Sequence, residues 1–355
     1  MARAPAIGGS RPCPSLGLSS PSPAARRRSR LPWGPVARLV RTRTSLPGWS
    51  VRVVRCLGRG GTRVTGADEM GSVERPAPAC LRGRVVKFRG YRTPGGGLAR
   101  LNVPAATVTL ILGWGEPVHL RAAGTNGALG NGVWHSVLVG LRTSAVLGAY
   151  PGTGHAVEVD FTPLGAYACL GVPLAGLSET QVAAEDVLGV RWTSALTERL
   201  ALAPDWGTRW TILDEALCRR LTAGPSPSPV VAEAWHRLRA RHGGMHLRDL
   251  VAETGRGRRR LQALFREQIG LPPQSAIRVL RFQRVLTMPP GSFRSLGELS
   301  AACGYYDQAH LNRDVRALAG LTPRELGGLS ERARREGAGV VDGRLTGLPT
   351  RDGQP

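Results

Sequence analysis

The chain has 355 residues, enough for two domains and a tail, and its 42% hydrophobic content suffices for packed cores. Its formal net charge of +23 favours an anionic partner, most often nucleic acid, although Lys87 is the only lysine and codon usage alone also inflates arginine. No apolar run approaches the ~18 residues of a membrane helix, and the arginine-containing start lacks the continuous apolar stretch of a secretory signal, so a membrane role is excluded and a cytoplasmic location is expected.

Charge is unevenly placed. Residues 1–69 carry a net +11, residues 70–222 a net +3 and residues 223–355 a net +9, so the middle is nearly balanced between two basic ends. The six cysteines are scattered, with no C-x-x-C pair and no histidine at ligand spacing. That pattern predicts reduced, mostly buried thiols, no structural metal and no cofactor.

In chain order, residues 1–69 are rich in Arg, Pro, Ser and Gly and keep no helical or strand period. They read either as a disordered basic arm that touches phosphates or as a start assigned upstream of Met70. From Leu81 to about Leu174, short Val/Thr/Ile-rich runs alternate with turn signals: R-V-V-K-F-R-G-Y, A-T-V-T-L-I-L-G-W, S-V-L-V-G-L and H-A-V-E-V-D-F. These predict short strands of an antiparallel barrel or sandwich. From Ser178 to Leu221 apolar residues recur at helical spacing. Pro225, Pro227 and Pro229 then mark a linker over residues 223–229, which divides an N-terminal effector or dimerisation domain (70–222) from a C-terminal domain.

Beyond the linker the pattern is all helical over residues 230–329, with a disordered tail expected over 330–355. Helices are predicted over Val230–Arg241, Leu247–Glu253 and Arg258–Glu267, and a longer one follows the break at Gly270–Pro273 and runs to about Leu286. The pattern then repeats over Leu296–Ala302 and Asp307–Leu318, with Ala309, Leu311 and Val315 at matching spacings. Gly320-Leu321-Thr322-Pro323 echoes Gly270-Leu271-Pro272-Pro273, an internal duplication offset by about fifty residues. A short helix, a glycine turn and a second helix with a polar outer face form a helix-turn-helix, whose second helix enters the major groove. Two such units on one rigid helix reach two adjacent grooves, ~34 Å apart.

The stretch Leu247–Leu326 resembles the DNA-binding domain of AraC/XylS-type transcription regulators. R-R-R-L-Q-A-L-F-R-E-Q-I-G-L-P-P carries the resemblance in the first unit, and L-S-A-A-C-G-Y-Y-D-Q-A-H-L-N-R-D-V-R-A-L-A-G-L-T-P in the second. It covers under a quarter of the chain. G-V-P-L-A-G-L-S after F-T-P-L-G-A-Y is similar, more weakly, to the sensor domain of some actinobacterial members. The sequence departs from the family at Gly257, where a serine cap is usual, at Val315, where phenylalanine is usual, and at Thr287–Pro290 after the linker helix.

The resemblance implies an α+β chain: a β-rich barrel- or sandwich-like sensor domain, then an all-α domain with two helix-turn-helix units. It implies DNA contacts from Arg258, Arg259, Gln262, Ala263 and Arg266 in the first recognition helix. In the second it implies Gln308, His310, Asn312 and Arg313, with Asp307 as helix cap and Tyr305 and Tyr306 at the turn, one packed and one partly exposed. Arginine pairs with guanine and glutamine with adenine. The implied partners are double-stranded DNA, a small-molecule effector, RNA polymerase and a second copy of the chain, with no catalysis.

Two other classes stay open on the residues. A sequence-indifferent nucleic-acid binder would rest on the basic arm. A cupin-like enzyme would need His119, His135 and His155 to converge on a metal, yet no H-x-H with a following glutamate occurs. Asp307, His310 and Asp314 share helical spacing, but no second cluster completes a site. The glycine-rich stretch Gly124–Gly132 lacks the G-K-[ST] of a phosphate loop and reads as a strand connection. Trp114, Trp134 and Trp192 read as packing residues.

Overall fold

The computed structural model describes residues 63–65, 72–94, 98–123, 131–289, 291–335 and 344–345. The rest of the expected basic arm, Gly124–Gly130 and most of the expected tail lie outside the described residues.

The described strands form two antiparallel sheets, and the four predicted runs all fall in the first. The first runs in the order β1 (Arg63–Thr65), β2 (Ser72–Pro76), β3 (Val85–Pro94), β10 (Thr153–Phe161), β5 (Val108–Gly115), β8 (Ser136–Val139) and β11 (Gln181–Ala183). The second runs β12 (Arg344–Leu345), β4 (Leu98–Asn102), β9 (Val146–Tyr150), β6 (Val118–Ala122) and β7 (Gly132–Trp134). Strand alternation sends one set of side chains between the sheets and the other outward. Between them lies a cluster of Tyr91, Ile111, Val137 and Ala156 from the first sheet with Val118, Leu120, Val146 and Tyr150 from the second. The outward set of the first sheet, including Phe88, Leu110, Leu112, Val157 and Phe161, packs under helices, so β5 and β10 are buried on both faces.

Charge is also buried between the sheets, in cross-strand register. Arg89 faces Glu158 across β3 and β10, and its Nε donates to Glu74 at 2.7 Å. Lys87 faces Asp160, which accepts from the Thr109 hydroxyl at 2.8 Å. Arg142 donates to the carbonyls of Asn102 and Val103, each at 3.2 Å, and its burial pushes its pKa down to about 10. Buried charges of this kind persist only where they are paired and hydrogen-bonded.

Helices cover the outer face of the first sheet. These are α1 (Pro163–Leu170), α2 (Ala184–Leu188), α3 (Val190–Leu202) and α4 (Trp206–Ala223). The sequence pattern leaves α1 inside the β-rich region, because P-L-G-A-Y-A-C-L is apolar on nearly every face and shows no amphipathic period. Thr162 and Asp205 cap α1 and α4 by accepting the N–H groups of Gly165 and Thr208. α4 is fastened to the sheet by aromatic packing. The Trp206 ring stacks on Trp210 at 5.2 Å and occupies the space a side chain would need at Gly90. Arg75 pairs with Asp214 and lies over the Phe88 and Trp210 rings.

Cys80 and Cys218 form a disulfide between the 3-10 turn Ala79–Leu81 and α4, with Cα atoms 6.4 Å apart. This corrects the expectation of uniformly reduced thiols. The partners are 138 residues apart, so only folding brings them together. Cys169 and Cys303 are free and buried, and burial pushes their thiols up to about 12 and about 11.

α5 (Pro229–Ala240) starts at the last proline of the expected linker. Then come α6 (Leu247–Thr254), α7 (Arg258–Gln268), α8 (Pro273–Thr287), α9 (Leu296–Ala302), α10 (Gln308–Ala319) and α11 (Pro323–Arg335). The predicted helix ends agree to within a residue or so. α11 corrects the expected tail, which was to begin at residue 330. It starts with a reciprocal cap, in which Thr322 N–H donates to Glu325 and Glu325 N–H to the Thr322 hydroxyl. One apolar core runs from the first sheet through α4 into α5–α11. No helix among the described residues is long and apolar enough to cross a membrane.

Gly165, in the first turn of α1, sits where a Cβ would meet the Arg84 carbonyl oxygen at 1.9 Å. The carbonyl belongs to backbone and does not yield easily. The Gly165→Ala variant is therefore expected to lose about 1–3 kcal/mol of stability, seen as a thermal midpoint several degrees below wild type. An unchanged midpoint would show that α1 and the Arg84 turn separate freely.

Candidate nucleic-acid interface

The first unit is α6, a turn at Gly255 and α7. Gly255 holds φ +61°, a left-handed conformation that suits glycine, and ends α6. Leu250, Leu261 and Phe265 are fully buried and set the angle between the helices. Arg258, Arg259, Ala263 and Arg266 are exposed, and Gln262 is half-buried. Gly257 caps α7 without a side-chain oxygen, as its type requires. Among the described residues, no ion pair or side-chain hydrogen bond ties Arg258, Arg259 or Arg266. Their charge remains available to an outside partner.

The second unit is α9, a turn at Gly304 (φ +76°) and α10. Leu299, Ser300, Leu311 and Val315 are buried, and the Ser300 hydroxyl is satisfied by the Leu296 carbonyl at 2.6 Å. Asp307 caps α10 by accepting the His310 N–H at 2.6 Å. Gln308 and Arg313 are exposed and Asn312 is half-buried. Ala309 is exposed, and the inward stripe of α10 starts two residues later at Leu311. Tyr305 is packed, as one of the two tyrosines was expected to be, and burial pushes its hydroxyl up. Tyr306 is 93% exposed, more than the partial exposure expected of it.

His310 sits differently from the other residues on this face. Its ring lies edge-on to Tyr305 at 5.2 Å, its Nδ1 accepts the Tyr306 N–H at 3.5 Å, and its Nε2 is 3.7 Å from Asp314. Nδ1 is thus engaged within the unit, and Nε2 lies near Asp314 without a hydrogen bond to it.

α8 joins the two units. Its Arg278 donates twice to one oxygen of the buried Asp314 carboxylate on α10, at 3.0 and 2.8 Å. Its Arg281 donates to the Gly243 carbonyl in the α5–α6 turn at 2.8 Å. One helix thus grips α10 and the turn that leads into α6. Sequence reasoning missed this pair; the available signal was two arginines, Arg278 and Arg281, among the apolar positions of α8.

The C-terminal end of α7 is held by other parts of the chain. The Tyr167 hydroxyl of α1 donates to Glu267 at 3.3 Å, Ser178 donates to the Gly270 carbonyl at 2.5 Å, and Gln268 accepts the Ser228 N–H of the linker at 2.8 Å. The arginine-rich N-terminal half of α7 faces solvent.

The histidines considered as metal ligands do not converge. His155 stacks on Trp114, and burial together with Arg92 and Arg209 lowers its pKa; burial also lowers that of His119. No group of three or more potential metal ligands occurs among the described residues. Trp114 also packs under Arg209 and Trp192 under Arg220.

Two helix-turn-helix units in one chain define the class: a DNA-binding module. Residues 250–327 match the family model described as a helix-turn-helix domain. They form an AraC-type helix-turn-helix domain. No curated protein matches the chain. Among solved structures the chain is similar to ToxT from Vibrio cholerae, at 9% identity and TM-score 0.38, covering 67% of this chain and 96% of that one. It is also similar to the AraC-like transcriptional activator CuxR (14% identity, TM-score 0.25, 61% and 82% covered) and to the xylose-binding transcription activator XylR (19%, 0.26, 35% and 39%).

Removal of the Arg278 guanidinium would leave Asp314 buried with its main donor gone. The Arg278→Ala variant is expected to cost about 1–3 kcal/mol and to raise amide exchange in α10 more than in α7. Equal exchange in both helices would show that the pair does not hold the second unit.

Proposed function

We propose that the protein is a cytoplasmic one-component transcription regulator that reads a bipartite DNA sequence. α7 and α10 enter adjacent major grooves, and the β-rich domain senses a small molecule. The observation that carries this reading is the pair of recognition helices, each with an exposed polar face, mounted on the single helix α8.

The residues divide by what they can reach. Arg258, Arg259, Arg266 and Arg313 pair with phosphates or guanine edges, while Gln262, Gln308 and Asn312 meet adenine, and Ala263 gives apolar contact. His310 positions the N-terminus of α10, since its ring is occupied by Tyr305, Tyr306 and Asp314. Phosphate contacts supply most of the affinity and make it fall with salt. RNA polymerase and a second copy of the chain are the protein partners this reading entails.

The test is selection of random duplex DNA by the full-length chain beside Arg313→Ala. The expected result is one bipartite motif with half-elements about one helical turn apart. Arg313→Ala should relax one half-element and weaken binding roughly 5- to 100-fold, the worth of one good base contact. Absence of any enriched motif, with binding lost on removal of residues 1–69, would replace this reading with a sequence-indifferent binder.

A further inference from the structure

The cysteines among the described residues divide by what can reach them. Cys169 and Cys303 are free and buried, and their raised pKa values keep them from forming reactive thiolates. Cys80 and Cys218 are joined and lie nearer the surface. Cys80 is exposed on the turn Ala79–Leu81, and Cys218 is half-buried on α4. A reductant therefore has access to one sulfur of the bond.

Packing holds both sulfurs in place. Leu81, next to Cys80, is fully buried, and the turn is closed by the Leu81 and Arg84 N–H groups, which donate to the Pro78 and Leu81 carbonyls at 3.0 Å each. Leu217, next to Cys218, is fully buried as well. Both residues thus sit on backbone anchored in one apolar core, with Cα atoms 6.4 Å apart, a span that suits a bridge. Two thiols so placed stay within reach of each other when the bond opens.

A second tie lies one helical turn away. Asp214 and Cys218 are four residues apart and share a face of α4. Asp214 pairs with Arg75 on β2, and Cys218 bonds to Cys80 in the turn that follows. The Trp206–Trp210 stack, and Arg75 over the Phe88 and Trp210 rings, strengthen the first of these ties. α4 is therefore held noncovalently toward its start and covalently toward its end. Opening the disulfide leaves the first hold in place, so the fold survives and the far end of α4 loosens. That end carries α1. Arg220 donates to the Cys169 carbonyl at 3.0 Å, and a Cβ at Gly224 would meet the Ala168 carbonyl oxygen at 1.7 Å. α1 in turn holds α7 through Tyr167 and Glu267.

We propose that Cys80 and Cys218 are a reversible redox pair that sets how firmly α4 holds α1. One thiolate of a dithiol reductant attacks the exposed Cys80 sulfur. The Cys80–Cys218 bond breaks, Cys218 leaves as a thiolate and takes up a proton, and a mixed disulfide forms. The second thiolate of the reductant displaces Cys80, which also takes up a proton. The chain gains two electrons and two protons, and the dithiol, having lost them, becomes a disulfide. In a reducing compartment such bonds are transient and responsive, a step that rests on the cytoplasmic location proposed above. The exchange itself is a property of the purified chain, so its failure is distinct from failure of the DNA reading.

The experiment is peptide mass mapping of the native full-length chain after iodoacetamide labelling, before and after dithiothreitol, with amide exchange measured on both forms. The oxidised chain should give a linked pair of peptides containing Cys80 and Cys218. Dithiothreitol without denaturant should open the link, admit label to both cysteines and leave Cys169 and Cys303 unlabelled. Oxidised glutathione should restore the same link. Reduction should raise exchange in the second half of α4 and in α1 about tenfold or more, because removing a cross-link frees what it closed, while α8 stays protected. Cys80→Ser and Cys218→Ser should each match the reduced chain and ignore dithiothreitol. A missing link in the oxidised chain, a link that opens only in denaturant, re-formation with a different cysteine, equal exchange in the two forms, or loss of protection in α8 on reduction overturns the proposal.

Discussion

The double grip of α8 is the constraint on which the DNA-binding half depends. Arg278 holds Asp314 on α10, and Arg281 holds the Gly243 carbonyl beside α6. Around these contacts α8 buries Ile277, Leu280, Phe282 and Leu286. Recognition of two grooves requires a fixed separation and a fixed angle between two helices, and a helix packed on one face and pinned at two points supplies both. Apolar packing alone is non-directional. The ion pair and the hydrogen bond add the direction.

The same reasoning explains which polar residues are spent inside the protein. Asp314 and His310 lie on a helix whose outer face is polar, yet both serve the unit internally. Asp314 neutralises Arg278, and His310 is wedged between Tyr305 and Asp314. Arg258, Arg259, Arg266 and Arg313 have no such partner among the described residues. An unpaired arginine on a recognition helix has its full charge to offer a phosphate or a base edge.

The two halves of the chain meet through the end of α7 that points away from its arginine-rich start. Tyr167, Ser178 and the linker N–H of Ser228 all converge there. α5 lies nearby and forms one wall of a groove that contains Arg84 and Arg239. Anything that alters the packing of α5 on the β-rich domain acts on an element that also packs against α7. This is a contiguous physical connection between the two domains, made of backbone and buried side chains.

Much of this was legible in the sequence. The strands β3, β5, β8 and β10, the proline linker, the six helices from α5 to α10 and the duplication all announce themselves through local period, turn chemistry and spacing. Those signals are short-range, and the described structure keeps them. What the linear order could not carry was pairing at a distance. The disulfide of Cys80 with Cys218, the buried cross-strand charges Arg89–Glu158 and Lys87–Asp160, and the inward turn of His310 each depend on a partner supplied by another element or by packing. α1 escaped notice because burial on nearly all sides erases the amphipathic period. The chain alone therefore determined the strands β3, β5, β8 and β10, the helices α5–α10 and which of those helix faces are polar. Only the tertiary structure decided which of those polar groups are consumed inside the fold and which remain free to bind, because that depends on what is brought next to them.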